Sequence, residues 1–138
     1  MKKLFLVLAL GLASSAFAQS SPELFVTLNS GQPQTQGMAL VLANQAAAQK
    51  VAVRVLLCSE GAQLAITSKE SVRLKPPNVT PKDMLSALMK AGAKVEVCAL
   101  FLPNSDWKES DLIAGVTVAK PADVATYMMQ PHVKAMTF

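Results

Sequence analysis

The segment Val51-Ala52-Val53-Arg54-Val55-Leu56-Leu57-Cys58 constrains the fold most. It is β-branched and almost continuously apolar, a pattern that suits a strand covered on both faces and not one with a wetted side. Sheets buried on both faces are parallel ones, whose strands are joined by helical crossovers, so helices are expected on either side of this segment in the chain.

The flanks meet that expectation. Residues 24 to 30 form an apolar run closed by Asn29, Ser30, Gly31 and Pro33, which reads as a buried strand and a loop. Gly37 to Lys50 is rich in Ala, Leu and Gln, with Met38, Val41, Leu42 and Ala46 near helical spacing. Ser59-Glu60-Gly61 ends the central strand, a short helix is expected near Ala62, and Pro76-Pro77-Asn78 excludes regular structure. Thr80-Pro81-Lys82-Asp83 is a helix start. Thr80 supplies a cap, Pro81 fits the first turn and Asp83 complements the dipole. Met84, Leu85, Leu88 and Met89 make that helix's apolar face, and Gly92 stops it.

A third strand is expected over residues 94 to 102, with Cys98 partway along it and Pro103-Asn104 at its end. Glu109 to Ala114 suggests a short helix, Val116 to Ala119 a strand, Pro121 to Met129 a helix and Val133 to Phe138 a last strand. This alternation predicts an α/β fold, a three-layer α/β/α sandwich around a mainly parallel sheet of about five strands with right-handed crossovers. Chemistry in such folds gathers at the carboxyl ends of the strands.

The N-terminus has the three parts of a cleavable export signal over residues 1 to 18: basic Lys2 and Lys3, the apolar run Leu4 to Leu12, and the small-x-small site Ala16-Phe17-Ala18 before Gln19. The apolar run is roughly half of the ~20 residues that span a bilayer, so no stable membrane anchor is expected. The working domain is then residues 19 to 138, periplasmic or secreted. Cleavage takes Lys2 and Lys3 from 13 basic residues and nothing from 9 acidic ones, which leaves a net charge of +2. No cluster of Lys and Arg interleaves with aromatic residues, so no nucleic acid is expected as a partner.

The strand ends contain no glycine-rich phosphate motif, and no cofactor is expected. One histidine, His132, cannot complete the common zinc sites and reads as a surface loop residue. The thioethers of Met84, Met89, Met128 and Met129 fall on predicted helices, where core packing accounts for them, so no metal is expected. Asp106, Glu109 and Asp111 read as the solvated start of a helix, and Trp107 as a semi-exposed loop anchor.

Cys58 and Cys98 are the candidate site residues. In an exported protein three readings stay open: a structural disulfide, two inert buried thiols, or a chemically used Cys98 with Cys58 as partner thiol. Neighbouring strands lie about 4.8 Å apart and permit a bridge, whereas an intervening strand separates the pair by ~10 Å, beyond the Cα limit of about 7 Å. Sequence does not set the strand order. Nucleophilic use of Cys98 needs its thiolate, and no His or Cys lies within three residues to serve as base or resolving thiol.

The stretch Lys94-Val95-Glu96-Val97-Cys98-Ala99, after the helix ending at Ala91-Gly92 and before Asp111-Leu112-Ile113-Ala114-Gly115-Val116, resembles the DsrE/DsrF-like family of small α/β proteins. The resemblance extends to Leu56-Leu57-Cys58-Ser59-Glu60-Gly61 and to Val133 to Phe138. It implies a sulfur carrier or sulfurtransferase subunit, with a persulfide on the strand-borne Cys98, a sulfur-donor or acceptor protein as partner, and a homo-oligomer, trimer or hexamer. Two features depart from the family pattern. The chain begins with an export signal, and Ala99, Leu100, Phe101 and Leu102 offer no second cysteine after Cys98. A non-catalytic oligomeric module that binds a ligand or protein is the alternative.

Overall fold

The computed structural model describes residues 21–76 and 78–138. The expected export signal at residues 1 to 18 lies outside the described residues. The chain runs β1 (Glu23–Leu28), α1 (Pro33–Ala48), β2 (Ala52–Leu57), a 3-10 segment (Ser59–Ala65), α2 (Pro81–Lys90), β3 (Lys94–Val97), β4 (Thr117–Val118), α3 (Pro121–Met128) and β5 (Val133–Thr137). All neighbouring strands pair in parallel, in the order β4-β3-β2-β1-β5. The three-layer sandwich is therefore present, and its sheet is wholly parallel.

Side-chain alternation divides the strands between two layers. Leu24, Val26 and Leu28 of β1, Val53, Val55 and Leu57 of β2, and Val95 and Val97 of β3 bury against Ala39, Leu40 and Ala43 of α1 and Leu85 and Leu88 of α2. Small residues on α1 let the helix lie close to the sheet. Asn44 Nδ2 ties the two helices by donating to the Met84 carbonyl at 3.1 Å. Among the described residues the opposite face has one helix, α3, whose Val124 packs with Phe25 and Ala119, flanked by Leu56, Tyr127 and Val133.

The segment from β3 to β4 packs on the α1/α2 side through Phe101, Leu102, Trp107, Leu112 and Ile113, whereas the segment after β4 crosses to the α3 side. The connections thus part between β3 and β4, the position in an open parallel sheet where the strand ends leave a crevice.

Local chemistry explains most boundaries. At α2, Asp83 N donates to Thr80 Oγ1 and Thr80 N donates to Asp83 Oδ2, both at 3.0 Å, closing the expected capping box. Gly92, with φ +96, takes the left-handed turn that follows the helix. α1 begins earlier than the sequence pattern predicts, because Pro33 occupies its first turn and does not belong to the loop. The expected strand over 94 to 102 stops at Val97. β4 offers only Thr117 and Val118 for pairing, and after Cys98 the chain turns, with Phe101 N donating to the Cys98 carbonyl at 2.9 Å.

The short helix near Ala62 is a 3-10 segment, and the helix expected over 109 to 114 is one 3-10 turn, Glu109–Asp111, because Leu112 pairs with Ile66 in an isolated antiparallel bridge. Met84 and Met89 pack against the core as expected, but Met128 and Met129 do not. α3 docks through Val124 and Tyr127, and Met129 at its end is 79% exposed.

Candidate functional site

The strand order answers the question left by the two cysteines. β2 and β3 are neighbours, registered Leu57 against Val97, so Cys58 and Cys98 follow side by side at the carboxyl ends of adjacent strands. Cys98 N donates to the Leu57 carbonyl at 2.8 Å, and Cys58 N to the Leu28 carbonyl at 3.0 Å, so the ladder holds both backbones. Both are free thiols, each half-buried. Cys98 does not lie partway along its strand; it is the first residue beyond it.

The turn after Cys58 is tightly set. Ser59 adopts φ +50, unusual for a residue with a side chain. Gly61 N donates to the Asn29 carbonyl at 3.0 Å, and a Cβ on Gly61 would stand 2.3 Å from the Leu28 carbonyl oxygen. Only glycine allows the β1 and β2 ends to approach this closely. The same loop places Glu60 beside Gly31.

Cys98 borders a cleft of about 640 Å³, lined also by Ser59, Glu60, Gln63, Leu100, Phe101 and Trp107. Cys58 is not part of its lining. Trp107 is half-buried against the core, as a loop anchor should be, and Lys69 Nζ stands 5.6 Å from its ring centroid. Burial pushes the Cys58 thiol up to about 12, and contact with the Cys98 sulfur and its charge adds to the rise. Cys58 therefore keeps its proton at neutral pH.

Solved structures resemble this chain at the level of the fold. The fold is similar to that of the ychN protein of E. coli. That crystal structure superposes with a TM-score of 0.62 over 85% of this chain and 99% of the other, at 16% identity. A protein of unknown function from Methanobacterium thermoautotrophicum, MTH1491, superposes with a TM-score of 0.66 over 86% and 100%, at 14% identity. No protein-family model and no curated protein matches the chain.

A second polar constellation, which sequence reasoning missed, lies on the α3 face. Arg54 Nε donates to Glu96 Oε2 at 2.6 Å, and Lys94 Nζ reaches Glu96 Oε1 at 2.9 Å. The Arg54 guanidinium lies 4.7 Å from the Tyr127 ring centroid, and Tyr127 donates its hydroxyl to Glu23 Oε2 at 2.7 Å. His132 Nε2 is 3.5 Å from Glu23 Oε1, so the loop histidine belongs to the edge of this network. Burial and the Glu23 carboxylate both raise the Tyr127 hydroxyl. The signal was present in the sequence: opposite charges, Arg54 and Glu96, stand inside two apolar strands, where an unpaired charge is costly.

Among the described residues no group of three or more His, Cys, Asp or Glu could hold a metal ion, and no helix is long and apolar enough to cross a membrane.

Proposed function

We propose that the chain is an exported member of the DsrE/DsrF-like family that carries or senses sulfane sulfur as a persulfide on Cys98, with Cys58 as its partner thiol. The observation that carries this reading is the pairing of two free thiols at adjacent strand ends, with Cys98 at the cleft. In the loading step the Cys98 thiolate attacks the outer sulfur of a persulfide or polysulfide donor. A sulfur–sulfur bond forms at Cys98, the donor's own sulfur–sulfur bond breaks, and the remainder leaves as a thiolate. The cleft suits a donor with an organic portion, since Phe101, Leu100 and Trp107 offer it apolar contact.

Anaerobic exposure of the reduced protein to polysulfide, followed by peptide mass spectrometry, tests the assignment. A gain of sulfur at Cys98, lost in Cys98→Ser, is expected. Absence of any sulfur gain and of any thiol oxidation, under conditions that load an ordinary thiol, overturns it. Export is tested separately, by fractionation and by an N-terminus beginning at Gln19.

The second reading is an oligomeric binding module, favoured by the groove between α1 and Val72–Pro76, where Met38, Val41 and Val72 are exposed together. Exposed apolar residues so grouped mark interaction surfaces. Sedimentation equilibrium of the protein and of Val41→Asp tests it. A trimer or hexamer weakened by the substitution supports it, and a wild-type monomer refutes it.

A further inference from the structure

We infer that Cys58 and Cys98 form a discharge couple, in which sulfur accepted on Cys98 is expelled as sulfide while the two cysteines join in a disulfide. The inference rests on the persulfide reading above and adds to it the fate of the sulfur, making the site a reducer of sulfane sulfur.

Geometry is the first argument. Each cysteine follows a member of the registered pair Leu57 and Val97, and their side chains are in contact. Neighbouring strands about 4.8 Å apart lie inside the Cα separation of about 4.4–6.8 Å that a disulfide spans. Both side chains stand where the ladder ends. Beyond Cys58 the chain turns at Ser59, and beyond Cys98 it turns toward Phe101, so small adjustments at the bridge need not be passed along a strand.

The second argument is the division of labour between the sulfurs. Cys98 borders the cleft and meets a donor, while Cys58 stands outside the cleft lining and against Cys98. A persulfide on Cys98 has an inner sulfur bonded to its Cβ and an outer one toward the cleft. Cys58 adjoins the inner sulfur. Attack there forms the Cys58–Cys98 bond, breaks the bond between inner and outer sulfur, and expels the outer sulfur as hydrosulfide. The Cys58 proton leaves with the product as hydrogen sulfide. The two thiols lose two electrons, and the sulfane sulfur gains them.

The Cys58 proton has a destination in the same step. Burial holds its proton, and the Cys98 sulfur and its charge add to that hold. In the discharge step that proton passes to the departing sulfur as the Cys58–Cys98 bond forms, so no free Cys58 thiolate has to accumulate. A further cycle needs a dithiol reductant to open the disulfide, as thiol–disulfide exchange allows.

The experiment uses the fully reduced protein without oxygen, one equivalent of inorganic polysulfide, and two readouts over time: intact mass and free sulfide. The wild type is expected to show a sulfur adduct that gives way to a species lighter than the starting protein by two hydrogens, with sulfide released in proportion. Cys58→Ser is expected to stop at the stable adduct. Cys98→Ser is expected to show neither adduct nor loss of hydrogens. A wild type whose adduct persists, with no more sulfide than Cys58→Ser releases on loading, overturns the discharge step but leaves the persulfide reading intact. Absence of both adduct and disulfide overturns both. Sulfide release by Cys58→Ser equal to that of the wild type also overturns the discharge step.

Discussion

Arg54 on β2 and Glu96 on β3 meet inside the protein, Nε to Oε2 at 2.6 Å, with side chains only 9% and 4% exposed. Arg54 Nη2 is buried without a hydrogen-bond partner, so the pair is not fully compensated. Removing one member leaves the other charge desolvated. Arg54→Met or Glu96→Leu alone is expected to lower unfolding free energy by about 3–5 kcal/mol, whereas the double variant is expected near or above wild type. Urea unfolding of the four proteins measures this. A double variant as unstable as the singles refutes the account.

The same pair sets an acid limb in stability. Burial alone would raise the Glu96 carboxyl, but hydrogen bonds from Arg54 and Lys94, with their charges, hold it below the usual carboxylate range. A carboxyl with a lowered folded pKa contributes stability above its unfolded value, here 4.5, and loses that contribution as pH falls through the folded value. Wild-type stability is expected to decline below that pH more steeply than in Glu96→Gln, as measured by unfolding across pH 2 to about 6.

The two thiols should react unequally. With Cys58 pushed up to about 12, alkylation by iodoacetamide at neutral pH is expected at Cys98 first, and Cys58 should become reactive only as pH rises toward that value. Peptide mapping at short times distinguishes the sites. Equal early labelling refutes the unequal pair.

Gly61 holds the Cys58 turn against β1. Gly61→Ala places a methyl group 2.3 Å from the Leu28 carbonyl oxygen, a contact with backbone that no side-chain movement relieves. Overpacking of this kind costs about 1–3 kcal/mol or more. The variant is expected to lose stability in urea and to label faster at Cys58, while Gly92→Ala, at an open turn, should leave thiol labelling unchanged.

Lys82 fastens the segment after Ala65 to α2. Its ammonium donates to the carbonyls of Ile66 at 2.6 Å, Thr67 at 3.3 Å and Lys69. Lys82→Met strips three carbonyls of a charged donor, at an expected cost of about 1–3 kcal/mol. Hydrogen exchange should accelerate at the amides of Thr67 and Lys69 and stay unchanged in β1.

The strands and helices were legible because each is a local pattern. The apolar runs at β1 and β2, the Thr80-Pro81-Asp83 start and the glycine stop at Gly92 all act within a few residues. Errors arose where partners decide. The apolar Leu100 and Phe101 extend the strand pattern of β3 to residue 102, yet Leu100 is 72% exposed because the two-residue β4 gives no ladder to continue. Met128 and Met129 resembled core residues until the docking of α3 left them outside. Arg54 and Glu96 were visible as misplaced charges, but neither names its partner.

The sequence by itself determined the parallel α/β class, the position of most elements and the presence of two cysteines near strand ends. Those properties follow from local periodicity, capping and turn chemistry. Only the tertiary structure decided that Cys58 and Cys98 face each other, and that Arg54 meets Glu96. Both pairs depend on β2 lying beside β3, an order set by the helices each sheet face must bury and by the hand of the crossovers. These are long-range terms, and no window of neighbouring residues contains them.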